Sequence, residues 1–420
     1  MLTDNMALTF NLRTSRVAVL IVVSLALFID MVVYGVIVPI LPDVVKNQMG
    51  GDSKAVGFLF ACYAIGLMMS TPIFAVYSDK YKNRRYPMLT GMLGLCISTY
   101  CFGISQSYSQ LVFARIMQGV SGGATWTIGF SMLADVFPSE RLGVAMGTAL
   151  TATTMGSAIG PALGGFLYVH YGYRAPFIFC TALAAIDFFA VLWVAEPSSL
   201  EHFPSPTPTA NPETAPLLND QADSAKPNPE ITLLSLLRDP IVLCVLVATA
   251  LDSSVFSGFE PTLPLYLSST FNANPTTIGL LFVAMVAPFF LSPLVGYLSD
   301  QWGKALMSGI GAVGMGCSVL LVAVPNEAKL MTLPLFAVGT TCCIMSTPLL
   351  PELGERVRQL GGGAYGRVYG LYNMSYSMGM AVGPILAGFL YDKVGFSWEC
   401  VVMGSLLLCI SPLLFWKMRV

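Results

Sequence analysis

The chain has 420 residues, 55% of them hydrophobic and 10% charged, with a formal net charge of −2 and a mean hydropathy of +0.71. A soluble domain carries roughly 25% charged residues, so this composition excludes a cytosolic enzyme, a disordered chain and a secreted disulfide scaffold. It gives no basic field for nucleic acid, and the two histidines, His170 and His202, stand too far apart to suggest a metal site; no cofactor or metal is expected.

A membrane-crossing helix needs about 20 mostly apolar residues. Twelve such runs follow one another: 17–42, 54–77, 86–105, 108–134, 141–169, 174–195, 239–268, 275–299, 304–324, 330–351, 364–391 and 397–416. The expectation is an all-α membrane protein of twelve transmembrane helices. The first run follows Arg13 and Arg16, is too long for a signal-peptide core and has no small-residue cleavage site after it, so it reads as a retained helix. All ten cysteines sit in or beside apolar runs and no CxxC occurs, which fits small packing residues; a disulfide or reactive thiol is the alternative.

Lysine and arginine set the orientation. With both ends in the cytoplasm, cytoplasmic segments hold fifteen Lys and Arg and outer segments five, with Arg115 inside a span. Residues 196–238 interrupt the series: eight prolines lie between 197 and 229, with Glu201, Glu213, Asp220 and Asp223 among them. This composition suits a flexible cytoplasmic tether, giving an N-terminal six-helix bundle at 1–195, a linker at 196–238 and a C-terminal bundle at 239–420. Within the linker, Glu213 followed by Leu217 and Leu218 has the form of an acidic dileucine sorting signal read by an adaptor.

The two halves repeat one another. Asp30, Pro39 and Pro42 recur as Asp252, Pro261 and Pro264, an offset of 222. Ser78 and Asp79 recur as Ser299 and Asp300. Gly156, Gly160, Pro161, Gly165 and Tyr168 recur as Gly379, Gly383, Pro384, Gly388 and Tyr391. Matches in order at a nearly constant offset signify duplication. Two parallel six-span repeats with a site between them near the midplane form the architecture of a rocking transporter.

Over nearly its whole length, apart from the linker, the sequence resembles the major facilitator superfamily. The resemblance rests on Leu111 to Gly119 around Arg115 and Gln118 in the fourth span, on Gly156, Gly160, Pro161, Gly164 and Gly165 in the fifth, and on Asp79, Lys80, Arg84 and Arg85 in the loop after the second. Ala75 and Lys82 stand where that loop motif has glycines. Phe28 to Pro42, Arg238 to Pro240, and Glu260 to Pro264 resemble drug:proton antiporters near the vesicular amine transporters. Ser346 and Asn373 stand where those transporters carry acids. The resemblance implies the two-bundle fold, a role for Arg115 in proton coupling, and no enzymatic activity.

A carboxylate at a helix centre costs about 2.5–3.5 kcal/mol on insertion scales, so each intramembrane charge is a candidate. These are Asp30, Arg115, Asp187, Asp252 and Glu260. Asp30 lies about 20 Å into its span at 1.5 Å per residue, and Asp252 lies at similar depth. Glu260 is about 12 Å nearer the outer side and some 80° around the helix from Asp252, so both can border one cavity, with Glu260 placed to touch substrate. Asp187 has no counterpart in the repeat. Arg115 needs an acid or carbonyls to hold it. Met31, Tyr34, Gln118, Trp126, Phe256, Tyr372, Asn373 and Tyr376 are candidate cavity residues, since aromatic faces attract organic cations. Asp79, Arg84, Arg85, Asp135 and Arg141 form a cytoplasmic charge cluster, read either as a topology signal or as a gate. The glycines with Pro161, and likewise Gly383 and Pro384, permit a bend and a tight seam.

The expected function is secondary active transport: export or sequestration of a small organic solute, cationic or drug-like, against protons, by a monomer in the plasma membrane or a vacuolar or vesicular membrane. Protonation of a cavity acid removes the charge that holds a cation, so proton and substrate compete and antiport results. A uniporter, an organic-acid exporter, or a receptor on the same fold are the alternatives.

Overall fold

The computed structural model describes residues 15–81, 84–137, 139–193, 233–360 and 365–417. Every described element is helical. The first six long helices are α1 (Arg16–Val36), α2 (Ser53–Tyr81), α3 (Arg85–Ile104), α4 (Tyr108–Val136), α5 (Ser139–Tyr171) and α6 (Arg174–Trp193). After residues 194–232 come α7 (Pro240–Phe271), α8 (Pro275–Val286, carried by the 3-10 turn Ala287–Leu291 into Ser292–Trp302) and α9 (Lys304–Val322). The last three are α10 (Thr332–Ser346, continued by Leu349–Gln359), α11 (Tyr365–Val394) and α12 (Phe396–Lys417).

Among the described residues, nine of these are long and apolar enough to cross a membrane on composition alone. The other three, α4, α5 and α11, carry Arg115 and Gln118, the glycine string, and Asn373. Arg115, Gln118 and Thr125 of α4 are fully buried in protein, away from lipid. Large apolar side chains such as Ile73, Leu333 and Trp416 lie exposed on the exterior. Such a surface suits hydrocarbon, where every helical backbone group is already paired.

The duplicated prolines behave differently in the two halves. Pro39 and Pro42 follow the end of α1, where the chain turns before a short helix at Leu41–Asp43. Pro261 and Pro264 lie inside the unbroken α7. Proline removes one backbone donor and crowds the preceding turn; α7 nevertheless continues unbroken through both, buried along most of its length. Within the range 196–238 expected as a tether, Leu233–Arg238 forms a helical segment with Leu236 fully buried.

Packing repeats the sequence symmetry. α1 runs along α5 as α7 runs along α11; α2 along α4 as α8 along α10; α3 against α4 and α6 as α9 against α10 and α12. The two most extensive contacts between the halves are α2 with α11 and α5 with α8; α7 also touches α2 and the short helix Leu41–Asp43. The α2–α11 and α5–α8 seams are closest at one end of the bundle, here the far face, where α1 finishes; the near face is where α1 begins and α12 ends. A Cβ on Gly165 would sit 2.2 Å from the Pro275 carbonyl oxygen, and one on Gly388 would sit 2.6 Å from that of Ser53. Only glycine permits these approaches. Lys54 and Asp392 pair across the α2–α11 seam at 3.0 Å.

On the near face, Asp239 caps α7 by accepting from the amides of Ile241 (3.0 Å) and Val242 (3.2 Å), and it accepts both Nε (2.9 Å) and Nη2 (2.7 Å) of Arg356. Burial works against the charge, yet Arg356 and the two amides hold the Asp239 carboxyl below its ordinary value. A depressed folded value means this contribution is complete at neutral pH. It begins to fade as pH falls through the unfolded value of about 4. Asp239→Ala is expected to cost about 1–2 kcal/mol and to lower the thermal midpoint in detergent. Asp239→Asn, still a capping residue, is expected to cost less.

Candidate functional site

A cavity of about 320 Å³ lies between the halves. α1 lends it Met31, α2 Tyr63, α4 Trp126, α5 Thr153, Thr154 and Ser157, α7 Asp252 and Phe256, α8 Phe289, α10 Cys342 and Ser346, and α11 Tyr372, Asn373 and Tyr376. On α2, α5, α8 and α11 the lining residues lie on the near side of the seams at Ser53, Gly165, Pro275 and Gly388. The far end of the cavity is therefore closed by direct helix contact. Among the described lining residues Asp252 is the one that is charged; the others are aromatic, aliphatic, thioether, thiol, hydroxyl and amide. Its Oδ1 accepts from the Cys342 thiol at 3.2 Å. The cysteines were expected as packing residues, and all ten are unbonded to one another; Cys342 departs from that expectation by donating to a carboxylate.

Three of the other four intramembrane charges, Asp30, Arg115 and Glu260, lie behind this wall, with Arg115 and Glu260 toward the far face. Asp30 is fully buried. Its Oδ2 accepts from the Tyr63 hydroxyl at 2.7 Å and from the Trp126 indole at 3.0 Å, while Oδ1 is buried without a partner. Gly122 makes room for this: a Cβ there would meet the Tyr63 hydroxyl at 2.6 Å. Glu260 accepts from the Tyr34 hydroxyl. The rings of Tyr34 and Tyr63 stand 4.9 Å apart.

Arg115 lies over both tyrosines, its guanidinium carbon 4.6 Å from the Tyr34 centroid, 5.0 Å from Tyr63 and 5.7 Å from Phe60. The partner acid or carbonyls expected for Arg115 are replaced by ring faces and by Gln118, which accepts from Nη1 at 3.2 Å and donates to Thr99. Nε and Nη2 are buried without hydrogen bonds. The tyrosine hydroxyls point at carboxylates, so their rings are well placed to face the cation. The result is one cluster, Asp30–Tyr63 from one half and Tyr34–Glu260 across both, with a single cation stacked on it.

The sequence-predicted residues thus separate. Met31, Trp126, Asp252, Phe256, Tyr372, Asn373 and Tyr376 line the cavity. Tyr34 and Gln118 belong to the buried cluster instead, as does Glu260, expected at the substrate. Asp187 on α6 is buried with both oxygens unpartnered and takes no part in the cavity. Gly156, Gly160 and Gly164 press on Phe28, Gly35 and Val36 of α1, and Gly379 and Gly383 press on α7, within their own halves; Gly165 and Gly388 make the cross-half seams. Pro161 meets Gly279 of α8, and Pro384 meets Gly57 of α2. In the charge cluster Arg84 pairs with Asp135 at 2.8 Å and Arg85 donates to the Leu192 carbonyl. The side chains of Asp79 and Arg141, and Leu217 and Leu218, lie outside the described residues.

Sequence reasoning missed Tyr63, Cys342 and Glu399. Glu399 is buried on α12 and bonded at 2.7 Å to Thr262. Tyr63 and Cys342 are ordinary residues of apolar runs, with no repeat mate to mark them. Glu399 is an acid near a helix start, where acids are common.

The Major Facilitator Superfamily family model matches residues 23–358 and 245–420. An uncharacterized MFS-type transporter of Schizosaccharomyces pombe is 26% identical over 415 residues, covering 93% of this chain and 92% of its own length. The bovine synaptic vesicular amine transporter is 28% identical over 366 residues, 87% of this chain, which spans 66% of that relative's length. A probable vesicular acetylcholine transporter of Danio rerio is 29% identical over 95% of this chain and 79% of its own. Among solved structures, a bacterial homolog of the human lysosomal transporter Spinster, inward-facing and occupied, superposes with a TM-score of 0.74 at 13% identity, covering 96% of this chain and 97% of that one. The human organic anion transporter superposes at 0.67 with 19% identity over 95% and 99%. At these identities the two structures establish the fold alone.

Proposed function

The chain belongs to the Major Facilitator Superfamily and is a multi-pass membrane transporter, not an enzyme; from that premise we propose that it exchanges a small organic cation for protons by alternating access. The observation that carries this is the cavity wall: aromatic on several sides, with one carboxylate, Asp252, and no basic residue. Aromatic faces and a desolvated carboxylate suit an ammonium group. They are a poor host for an organic anion, and Arg115 is stacked behind Tyr34 and Tyr63. The vesicular amine transporters among the relatives support the same substrate class.

In this reading Asp252 holds the cation, while Asp30 and Glu260, in the buried cluster with Arg115, hold the proton. With the near face taken as cytoplasmic, the described state is closed on the outer side. The bundles 1–195 and 239–420 rock about the cavity as a monomer, joined by the segment after 195. The test is purified protein in liposomes under an imposed pH gradient, challenged with labelled organic cations and anions. Cation accumulation that collapses with a proton ionophore is expected; anion flux, or cation flux indifferent to the gradient, would overturn the proposal.

The membrane we propose is vesicular or vacuolar, with the surface membrane as the default if sorting fails. Glu213, Leu217 and Leu218 supply the form of an adaptor signal. Leu217→Ala with Leu218→Ala is expected to move the imaged protein to the cell surface without loss of flux in liposomes; an unchanged distribution removes the signal.

A further inference from the structure

The buried cluster contains one bond that joins the two halves. Tyr34 is on α1 and Glu260 on α7, both are nearly inaccessible, and the bond between them lies on the far side of the cavity. Tyr34 was a candidate substrate contact, yet it does not line the cavity. We propose that the Tyr34–Glu260 hydrogen bond is a latch that keeps the far side shut while Glu260 is ionised, and so prevents the unloaded carrier from reorienting. The proposal rests on the antiport reading and assigns it a coupling residue.

Antiport requires that a carrier with neither proton nor substrate stay on one side. If it crossed empty and returned with a proton, the gradient would leak away. A hydroxyl donating to a carboxylate makes a charge-assisted bond, roughly twice as strong as a neutral one. Protonating Glu260 removes that charge, so the latch is strong in the unloaded carrier and weak in the proton-loaded one. The groups facing Glu260 fit this behaviour. Tyr34 comes from α1, Arg115 from α4 across the Tyr34 and Tyr63 rings, and Tyr376 from α11. Glu399 of α12 is held by Thr262, Asp252 stands two turns back on α7 with Cys342 of α10, and Lys54 is occupied by Asp392 at the seam. The Tyr34 hydroxyl donates to Glu260, whereas the Asp30 carboxylate takes its donors from Tyr63 and Trp126. Substrate has its own route to the latch, because Tyr63 and Tyr376 flank it and also line the cavity.

The test uses the full chain in two ways. Hydrogen–deuterium exchange, corrected for intrinsic pH effects, follows amides at the far ends of α1, α2, α7 and α11. Wild type is expected to exchange slowly at neutral pH and faster as pH falls. Tyr34→Phe is expected to exchange fast at every pH, with the far-open population raised roughly tenfold or more, the worth of one hydrogen bond to a charged group. Glu260→Gln is expected to lose the pH dependence. In liposomes, Tyr34→Phe is expected to pass protons several-fold faster than wild type without any substrate. Far-end exchange in Tyr34→Phe that matches wild type, or a Glu260→Gln profile that still follows pH, would overturn the latch. Wild type that moves cations without protons would instead overturn the antiport reading, and the exchange measurement would still decide the latch.

Discussion

Asp252→Asn is expected to weaken binding of the transported cation by about 30-fold or more. Removing one member of a desolvated charge pair costs roughly 2–5 kcal/mol, and 1.4 kcal/mol is tenfold. The substitution keeps shape, and the amide oxygen still accepts from the Cys342 thiol, so the wall of the cavity stays intact. Insertion should not suffer, since a costly intramembrane charge is gone. Equilibrium binding of the best cation from the liposome panel measures the effect. Asp252→Glu, which keeps the charge but moves it by one methylene, is expected to retain part of the affinity. Wild-type binding in Asp252→Asn would mean that Asp30 or Glu260 reaches the cation, which needs Tyr63 and Trp126, or Tyr34, to give up their present bonds.

Much of this arrangement was legible in the sequence, and the part that was not has a physical cause. Span lengths and the 222-residue offset follow from local periodicity and duplication, which one chain displays on its own. The offset placed Asp30 and Asp252 at equivalent positions, and the packing of α1 on α5 and of α7 on α11 agrees. It could not tell them apart. The residue 222 beyond Tyr63 is Met285, which has no hydroxyl, so Asp30 receives an O–H and an N–H donor whereas Asp252 is left with one thiol on the cavity wall. Contacts of this kind join residues 33 to 96 positions apart on different helices, and no periodicity encodes them. Glu260 shows a second limit. A helical wheel sets it near the face of Asp252, but eight residues also lift it about 12 Å along the axis, past the cavity and into the seam. The wheel keeps the angle and discards the height. Arg115 shows a third: the need for a partner was readable, yet the partner proved to be a pair of ring faces, whose value depends on an orientation fixed by the carboxylates beyond them.

Asp30→Asn should separate proton coupling from substrate movement. Asn can present its amide oxygen to both Tyr63 and Trp126, so the two hydrogen bonds to Oδ2 survive. Its amide nitrogen then occupies the place of Oδ1, which is already buried without a partner, and the unsatisfied N–H there is a modest cost of about 1–3 kcal/mol. The chain is expected to fold and insert. What is lost is the change of charge. Arg115 would face one ionisable carboxylate in place of two, and Glu260 alone would register the proton. Accumulation driven by a pH gradient is expected to fall by at least about tenfold, which needs only some 1.4 kcal/mol of lost coupling. Exchange of labelled for unlabelled cation at equal pH on both sides should continue, because it needs the cavity and the rocking motion but no net proton. This contrast sets Asp30→Asn apart from Asp252→Asn, which should suppress both. Normal accumulation by Asp30→Asn under an imposed gradient would remove Asp30 from the coupling and leave Glu260, through Tyr34 and Arg115, as the only acid of the cluster that can carry it.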